Sequence, residues 1–188
     1  EWARWIIALL APSLRAGKNE APSLLFDMNR LFESSIAAVL RRRSAHTGLT
    51  IDTQETSRKF ATVHGGGKPV QIFTLRPDLT LRAGDRLLAI GDTKWKLITT
   101  DDAGRLRPGN DDLLQMYAYA AAYECPNLLL IYPWSDQLSK SVETHLDLPE
   151  VQGQRVRVDV LCVDVHRDQL PAVRGAASNV LGRLFGSG

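Results

Sequence analysis

The sequence predicts an α/β layered domain, and three observations carry that reading. Apolar residues recur at helical spacing near residues 28–40 and again over 111–124. Between and after those stretches the pattern turns to extended, β-branched segments. One of these, Leu128, Leu129, Leu130, Ile131 and Tyr132, is apolar without alternation, as a strand covered on both faces must be. Helix, strands, helix and further strands in that order fold as a sheet with helices packed on it.

Taken in order, residues 2–14 read as a short helix, with Trp2, Ile6, Leu9 and Leu10 on one side. Residues 15–22, with Gly17 and Pro22, read as a linker. The chain begins without Met inside an amphipathic pattern. Residues 1–22 are therefore expected to be the remnant of an upstream region, and 23–188 the main domain. Asp27 is suited to cap a helix whose stripe is Met28, Leu31, Phe32, Ile36, Val39 and Leu40. That helix ends in Arg41, Arg42 and Arg43, at the negative end of its dipole.

Residues 51–63 predict a strand, closed by Gly65, Gly66 and Gly67, and 70–75 resume as extended chain. Residues 78–82 and 87–97 flank a turn at Ala83, Gly84 and Asp85, which is a hairpin pattern. A polar loop over 99–109 leads to a helix over about 111–124 with acidic residues in its first turn. Strands follow at 128–132, 142–148 and 155–165, and a weak helix at 176–185.

Composition narrows the function. The chain has 188 residues, 44% hydrophobic and 23% charged, which allows a buried core and excludes disorder. Cys125 and Cys162 are far apart with no paired spacing, so neither a disulfide framework nor a cysteine-held zinc is expected. A reducing, cytoplasmic setting follows. The longest apolar run, 5–12, is too short for a membrane span. The net charge of +2 announces no partner, yet it is unevenly spread. Residues 1–107 hold 17 basic and 11 acidic side chains; residues 108–188 hold 6 and 10.

The chemistry-bearing residues begin with Pro77-Asp78 and Asp92-Thr93-Lys94. Asp92 and Lys94 are two apart on a strand and share a face. With a three-residue turn, Arg82 opposes Arg86 and Asp78 lies opposite Ile90, on that same face. Two carboxylates and an ammonium gathered there suit divalent-metal phosphodiester chemistry. The carboxylates offer hard oxygen ligands to Mg²⁺, and the lysine can orient a water and stabilise developing negative charge. Strand pairing alone fits a surface strand with solvated charges equally well. Glu33, next to Phe32, can look over the end of a sheet on which its helix packs. Gln115 and Tyr119, four apart, share a helix face and can bond a phosphate or hold a base. Each of these three, taken singly, is an ordinary polar helix residue.

Lys96 is read on the face of Lys94, as a supporting phosphate contact, and Trp95 on the opposite face, in the core. Arg41 and Arg42 can grip DNA phosphates or simply end a helix. Gly65-Gly66-Gly67-Lys68 is no phosphate loop, because Thr62 and Pro69 occupy positions where such a loop needs Gly and Ser or Thr. The four histidines show no ligand spacing.

The set Glu33, Asp78, Asp92, Lys94, Gln115 and Tyr119 resembles, in kind and order, the PD-(D/E)XK nuclease superfamily. Within it, the phrases Asp27-Met28-Asn29, Arg76-Pro77-Asp78, Asp92-Thr93-Lys94-Trp95-Lys96 and 112–119 are similar to the McrC family, the nuclease subunits of McrBC modification-dependent restriction systems. The resemblance covers residues 26–132. It implies a restriction-endonuclease-like fold, a central mixed sheet flanked by helices, and an endonuclease cutting DNA with Mg²⁺, for which Mn²⁺ can substitute. It implies Asp78, Asp92 and the backbone carbonyl of Thr93 as metal ligands, with Glu33 completing the shell directly or through water. Lys94 would be the catalytic lysine, and Gln115 and Tyr119 would position the DNA strand. It also implies an AAA+ GTPase partner, McrB, engaged through the upstream region. The residues present here are expected neither to read methylcytosine nor to bind GTP. The alternatives are a RecB-like nuclease with no GTPase partner and a nuclease-fold module that no longer cuts.

Overall fold

Asp27 accepts hydrogen bonds from the backbone of Asn29 and Arg30, which starts helix α1 (Met28–Ser44) as its side chain suggested. The computed structural model describes residues 27–135, 138 and 144–163. The helices expected at 2–14 and 176–185, and the linker at 15–22, lie outside the described residues. The buried stripe of α1 runs Phe32, Glu33, Ile36, Ala37, Leu40 and Ser44. Glu33 therefore lies within the apolar stripe, not beside it.

The strands are β1 (Leu49–Thr53), β2 (Lys59–Val63), β3 (Val70–Thr74), β4 (Leu79–Ala83) and β5 (Arg86–Thr93). Then come β6 (Thr99–Thr100), β7 (Leu106–Arg107), helix α2 (Asn110–Tyr123), β8 (Asn127–Pro133), β9 (Thr144–Val151) and β10 (Gln154–Val163). Six of them form one mixed sheet in the order β1-β4-β5-β8-β10-β9. β8 sits inside it, parallel to β5 on one side and to β10 on the other. That position explains its unbroken apolar sequence: Leu128, Leu130 and Tyr132 join the core beneath α2, while Leu129 and Ile131 join the core beneath α1. Each fully buried side chain of this size contributes about 1.5–3 kcal/mol.

Four sequence expectations change. The strand expected over 51–63 is two strands, broken where Gln54 takes a left-handed conformation (φ 55°). β2 and β3 then form a separate two-stranded arm. The loop at 99–109 contains the small β6–β7 hairpin. The strand expected to reach Leu97 stops at Thr93. And the β4–β5 turn is Gly84-Asp85 alone, since Ala83 pairs Arg86, with a bulge placing Leu88 outside the register. Leu79 pairs Gly91, so one further step sets Asp78 opposite Asp92, not Ile90. The register moved by two residues, which preserves the face. Gly91 suits that pair, because a Cβ there would stand 3.2 Å from Leu79 Cβ and Cδ1 and Leu79 would have to yield by a few tenths of an ångström.

Candidate active site at the carboxyl end of the central strands

Asp92 and Thr93 end β5 beside Ile131 of β8, at the carboxyl end of the parallel strands, where open α/β sheets place their sites. Asp92 is 2% exposed. Its Oδ2 meets Lys94 Nζ at 2.6 Å, at an angle that makes no hydrogen bond, so this buried oxygen has an ionic neighbour but no proper donor. Its Oδ1 accepts from Gln115 Nε2 at 3.2 Å and from the Tyr119 hydroxyl at 3.3 Å. Lys94 Nζ also donates to Gln115 Oε1 at 2.7 Å. Tyr119 accepts from Gln115 Nε2 at 2.7 Å and shares its proton with the Arg76 carbonyl at 3.1 Å. The i,i+4 pair on α2 thus closes a ring with the acid and the lysine.

Asp78 Oδ2 accepts from the backbone N–H and the hydroxyl of Thr93, both at 2.7 Å. Glu33 reaches the site from the other face, around the sheet end, and accepts from Gln54 Nε2 at 3.1 Å. Gln54 also accepts from Arg76, and its backbone N–H donates to the Asp78 carbonyl at 3.2 Å.

Electrostatics single out the same carboxylates. Burial, and then the negative charge of Asp78, push Asp92 up from 3.8 to about 6 against the pull of Lys94. Burial also raises Glu33, with Asp78 adding to the rise and Gln54 opposing it. Burial and the Asp92 charge raise Tyr119, which keeps its proton. Asp78 thus repels both Asp92 and Glu33, and such acids beside one ammonium can attract a cation, hold a water and offset charge on a phosphate.

Glu33, Asp78, Asp92, Thr93, Lys94, Gln115 and Tyr119 are therefore gathered at one place. Three DNA-contact candidates stand elsewhere. Lys96 follows the end of the strand, in a tight turn where its N–H donates to the Lys94 carbonyl. Strand alternation does not apply there, and its ammonium binds Asp112 at 2.9 and 2.7 Å. Arg41 Nε donates to the Ile51 carbonyl at 3.0 Å, tying α1 to β1. Arg42 is exposed on the last turn of α1. Trp95 packs on Phe32 with ring centroids 5.4 Å apart, in the core beneath α1. Sequence reasoning missed Gln54, whose only signal was a polar residue interrupting a strand pattern, and Asp112, hidden among first-turn acids.

The molecule is thus an α/β protein with an acid–lysine site at the carboxyl end of a central mixed sheet. Over residues 1–133 its sequence matches the family described as McrBC 5-methylcytosine restriction system component, and the chain belongs to that family. This is the family that the motifs resembled. The fold is similar to that of a chain in the assembly of Thermococcus gammatolerans McrB AAA+ hexamers with bound McrC. The TM-score is 0.54 at 17% identity, covering 81% of this chain and 31% of that one. The present chain thus spans about a third of its structural relative. No curated protein sequence matches the chain. Among the described residues, no helix is long and apolar enough to cross a membrane.

Proposed function

We propose that the chain carries the nuclease domain of an McrC-type subunit, a Mg²⁺-dependent DNA endonuclease of PD-(D/E)XK architecture. One observation carries the reading: Lys94 is held between Asp92 and Gln115, with Asp78 and Glu33 close enough to perturb one another electrostatically. An ordinary surface strand would leave these charges in water.

The donor set fits a hard divalent cation. Asp92 has a buried oxygen without a proper donor, and its ionisation is resisted by Asp78. Among the described residues no three His, Cys, Asp or Glu side chains form a ready-made cage. The ion would be held by Asp78 and Asp92, with Glu33 acting through water, the sparse protein ligation that suits Mg²⁺. When bound, Mg²⁺ supplies neutralisation of phosphate charge and a more acidic water. The protein does the rest. Lys94 presents an ammonium where negative charge grows on the phosphate, and can orient the attacking water. Gln115 and Tyr119 hold Lys94 and Asp92 in place and can turn toward the DNA strand. Gln54 steers Glu33 toward the acid pair.

The solved relative is an assembly of AAA+ hexamers with bound McrC. By that likeness, this chain's protein would work with an AAA+ ring like the one in that assembly. The test is cleavage of plasmid DNA with Mg²⁺ or Mn²⁺, with and without the motor. Wild type should cut, while Asp92→Ala and Lys94→Ala should not. Equal cleavage by all three under every condition rejects the assignment.

A further inference from the structure

The β2–β3 arm is hydrogen-bonded to no other sheet, and both its feet stand in the site. Before β2, Gln54 holds Glu33; after β3, the Arg76 carbonyl accepts from Tyr119. Between these feet the arm is unusually exposed. Of the seven large hydrophobic side chains exposed among the described residues, four are on it: Phe60 (57%), Val63 (51%), Val70 (58%) and Phe73 (70%). Apolar surface concentrated on one projecting element marks a binding surface.

Charge selects the partner. From Gln54 to Arg76 the chain includes Arg58, Lys59, Lys68 and Arg76 and a single carboxylate, Glu55 at the base, which is paired with Arg82 at 2.9 Å. Lys59 and Arg76 bond within the protein, to Thr74 and Gln54, while Arg58 and Lys68 are exposed. Cations in excess, beyond the one acid at the base and interleaved with exposed phenyl rings, suit a polyanion that also offers apolar surface. Nucleic acid is that polyanion. A two-stranded ribbon also has the width that the major groove of B-DNA admits.

We infer that the β2–β3 arm is a DNA-gripping element, with Arg58 and Lys68 on backbone phosphates and Phe60 and Phe73 against sugars and bases of the duplex. This rests on the nuclease reading for the identity of the polymer, and it deepens that reading. The arm sets the duplex relative to Asp92 because its feet and the site share Gln54 and Arg76.

The test uses the full chain carrying Asp92→Asn, so that binding is measured without cleavage. Fluorescence anisotropy with a labelled duplex is followed over a salt series. Adding Arg58→Ala and Lys68→Ala should weaken binding and lower the slope of log affinity against log salt by about 1.8, from two phosphate contacts. Adding Phe60→Ala and Phe73→Ala instead should weaken binding several-fold with little change in slope, because each ring's apolar contact with sugars and base edges would be lost. All four side chains are exposed, and unchanged circular dichroism would verify folding. Affinity and slope equal to the parent in both variants overturn the inference, as does a parent that binds no duplex. Intact DNA affinity with loss of the AAA+ motor makes the arm a protein surface and also overturns it. The nuclease reading is judged separately. If the unmutated chain cuts while the arm variants bind normally, only the arm fails. If the arm variants lose DNA and the unmutated chain never cuts, the arm stands alone.

Discussion

Two buried aspartates, Asp92 near the end of β5 beneath α2 and Asp112 in the first turn of α2 itself, have similar neighbours and opposite electrostatics. Each has a lysine ammonium against it, Lys94 at 2.6 Å and Lys96 at 2.7 Å, and each accepts from a tyrosine hydroxyl. Asp112 receives short bonds on both oxygens: Lys96 at 2.9 Å to Oδ1 and Tyr132 at 2.6 Å to Oδ2. Burial resists its ionisation, but the bonds from Lys96 and Tyr132 prevail, and its carboxyl is held below the usual range. Asp92 receives longer bonds of 3.2 and 3.3 Å, lacks a proper donor at Oδ2 and faces Asp78. Its carboxyl goes the other way. The same three residue types therefore make a structural clasp at one position and a site under tension at the other. What separates them is the weight of burial at Asp92 and the like charge of Asp78 beside it, which its longer bonds do not offset.

The comparison is broken or sharpened first by activity. Lys94→Ala is expected to lower single-turnover plasmid cleavage by about 10²–10³-fold, the usual loss for one group that stabilises developing charge. Asp112→Asn should stay within about tenfold of wild type, as a residue that touches no reacting atom should. Equal losses in the two would erase the distinction between clasp and site.

Stability should respond in the reverse order. Asp112→Ala strands the Tyr132 hydroxyl in the core, while Lys96 can turn to water. Denaturant unfolding should register a loss of about 1–3 kcal/mol. A change under about 0.5 kcal/mol would mean that the clasp is not one.

Asp92→Asn should stabilise the protein in chelator at pH 7, by roughly 1 kcal/mol, because it removes a charge that the fold resists. The pH dependence has a definite sign. The folded value of about 6 lies above the ordinary 3.8, so between them the folded state binds more protons than the unfolded. Asp92 should thus make wild-type stability fall as pH rises from about 4 to about 6, and the decline should be shallower in Asp92→Asn, which keeps only the contribution of the raised Glu33. Thermal unfolding across that range decides it, and parallel curves would refute the tension assigned to Asp92.

The smallest effect belongs to Lys96→Ala. Its side chain is 52% exposed, and an ion pair open to water contributes no more than about 1 kcal/mol. Cleavage should change only a few-fold. A loss as large as that of Lys94→Ala would restore Lys96 as a partner of the substrate.

What could be read from the sequence was local. Asp92 and Lys94 are two apart on a strand, Gln115 and Tyr119 four apart on a helix, and those spacings fix which faces they share. β8 could be read because a doubly covered strand has no polar residues. What stayed hidden depended on backbone events that leave little trace in residue type. Lys96 was misplaced because β5 ends three residues before it. Asp78 was set opposite Ile90 because two one-residue shifts, the shorter turn and the Leu88 bulge, were invisible. Gln54 needed a left-handed conformation that glycine would normally supply, and nothing in its chemistry announces one.

The parallel centre of the sheet has a consequence for the order of assembly. Ile90 pairs Leu128, and Leu128 pairs Val158, so each central pairing joins segments separated by dozens of residues. Such contacts form late, because a long loop must close before any reward arrives. The site draws on Glu33 near one end of the described chain and Tyr119 well beyond its middle, and it leans on strands that need both. In refolding, recovery of cleavage should therefore never precede recovery of the native tryptophan fluorescence, to which the half-buried Trp95 and Trp134 contribute. On the nuclease reading, a nascent chain cannot cut until the segment through β10 has left the ribosome and joined the sheet.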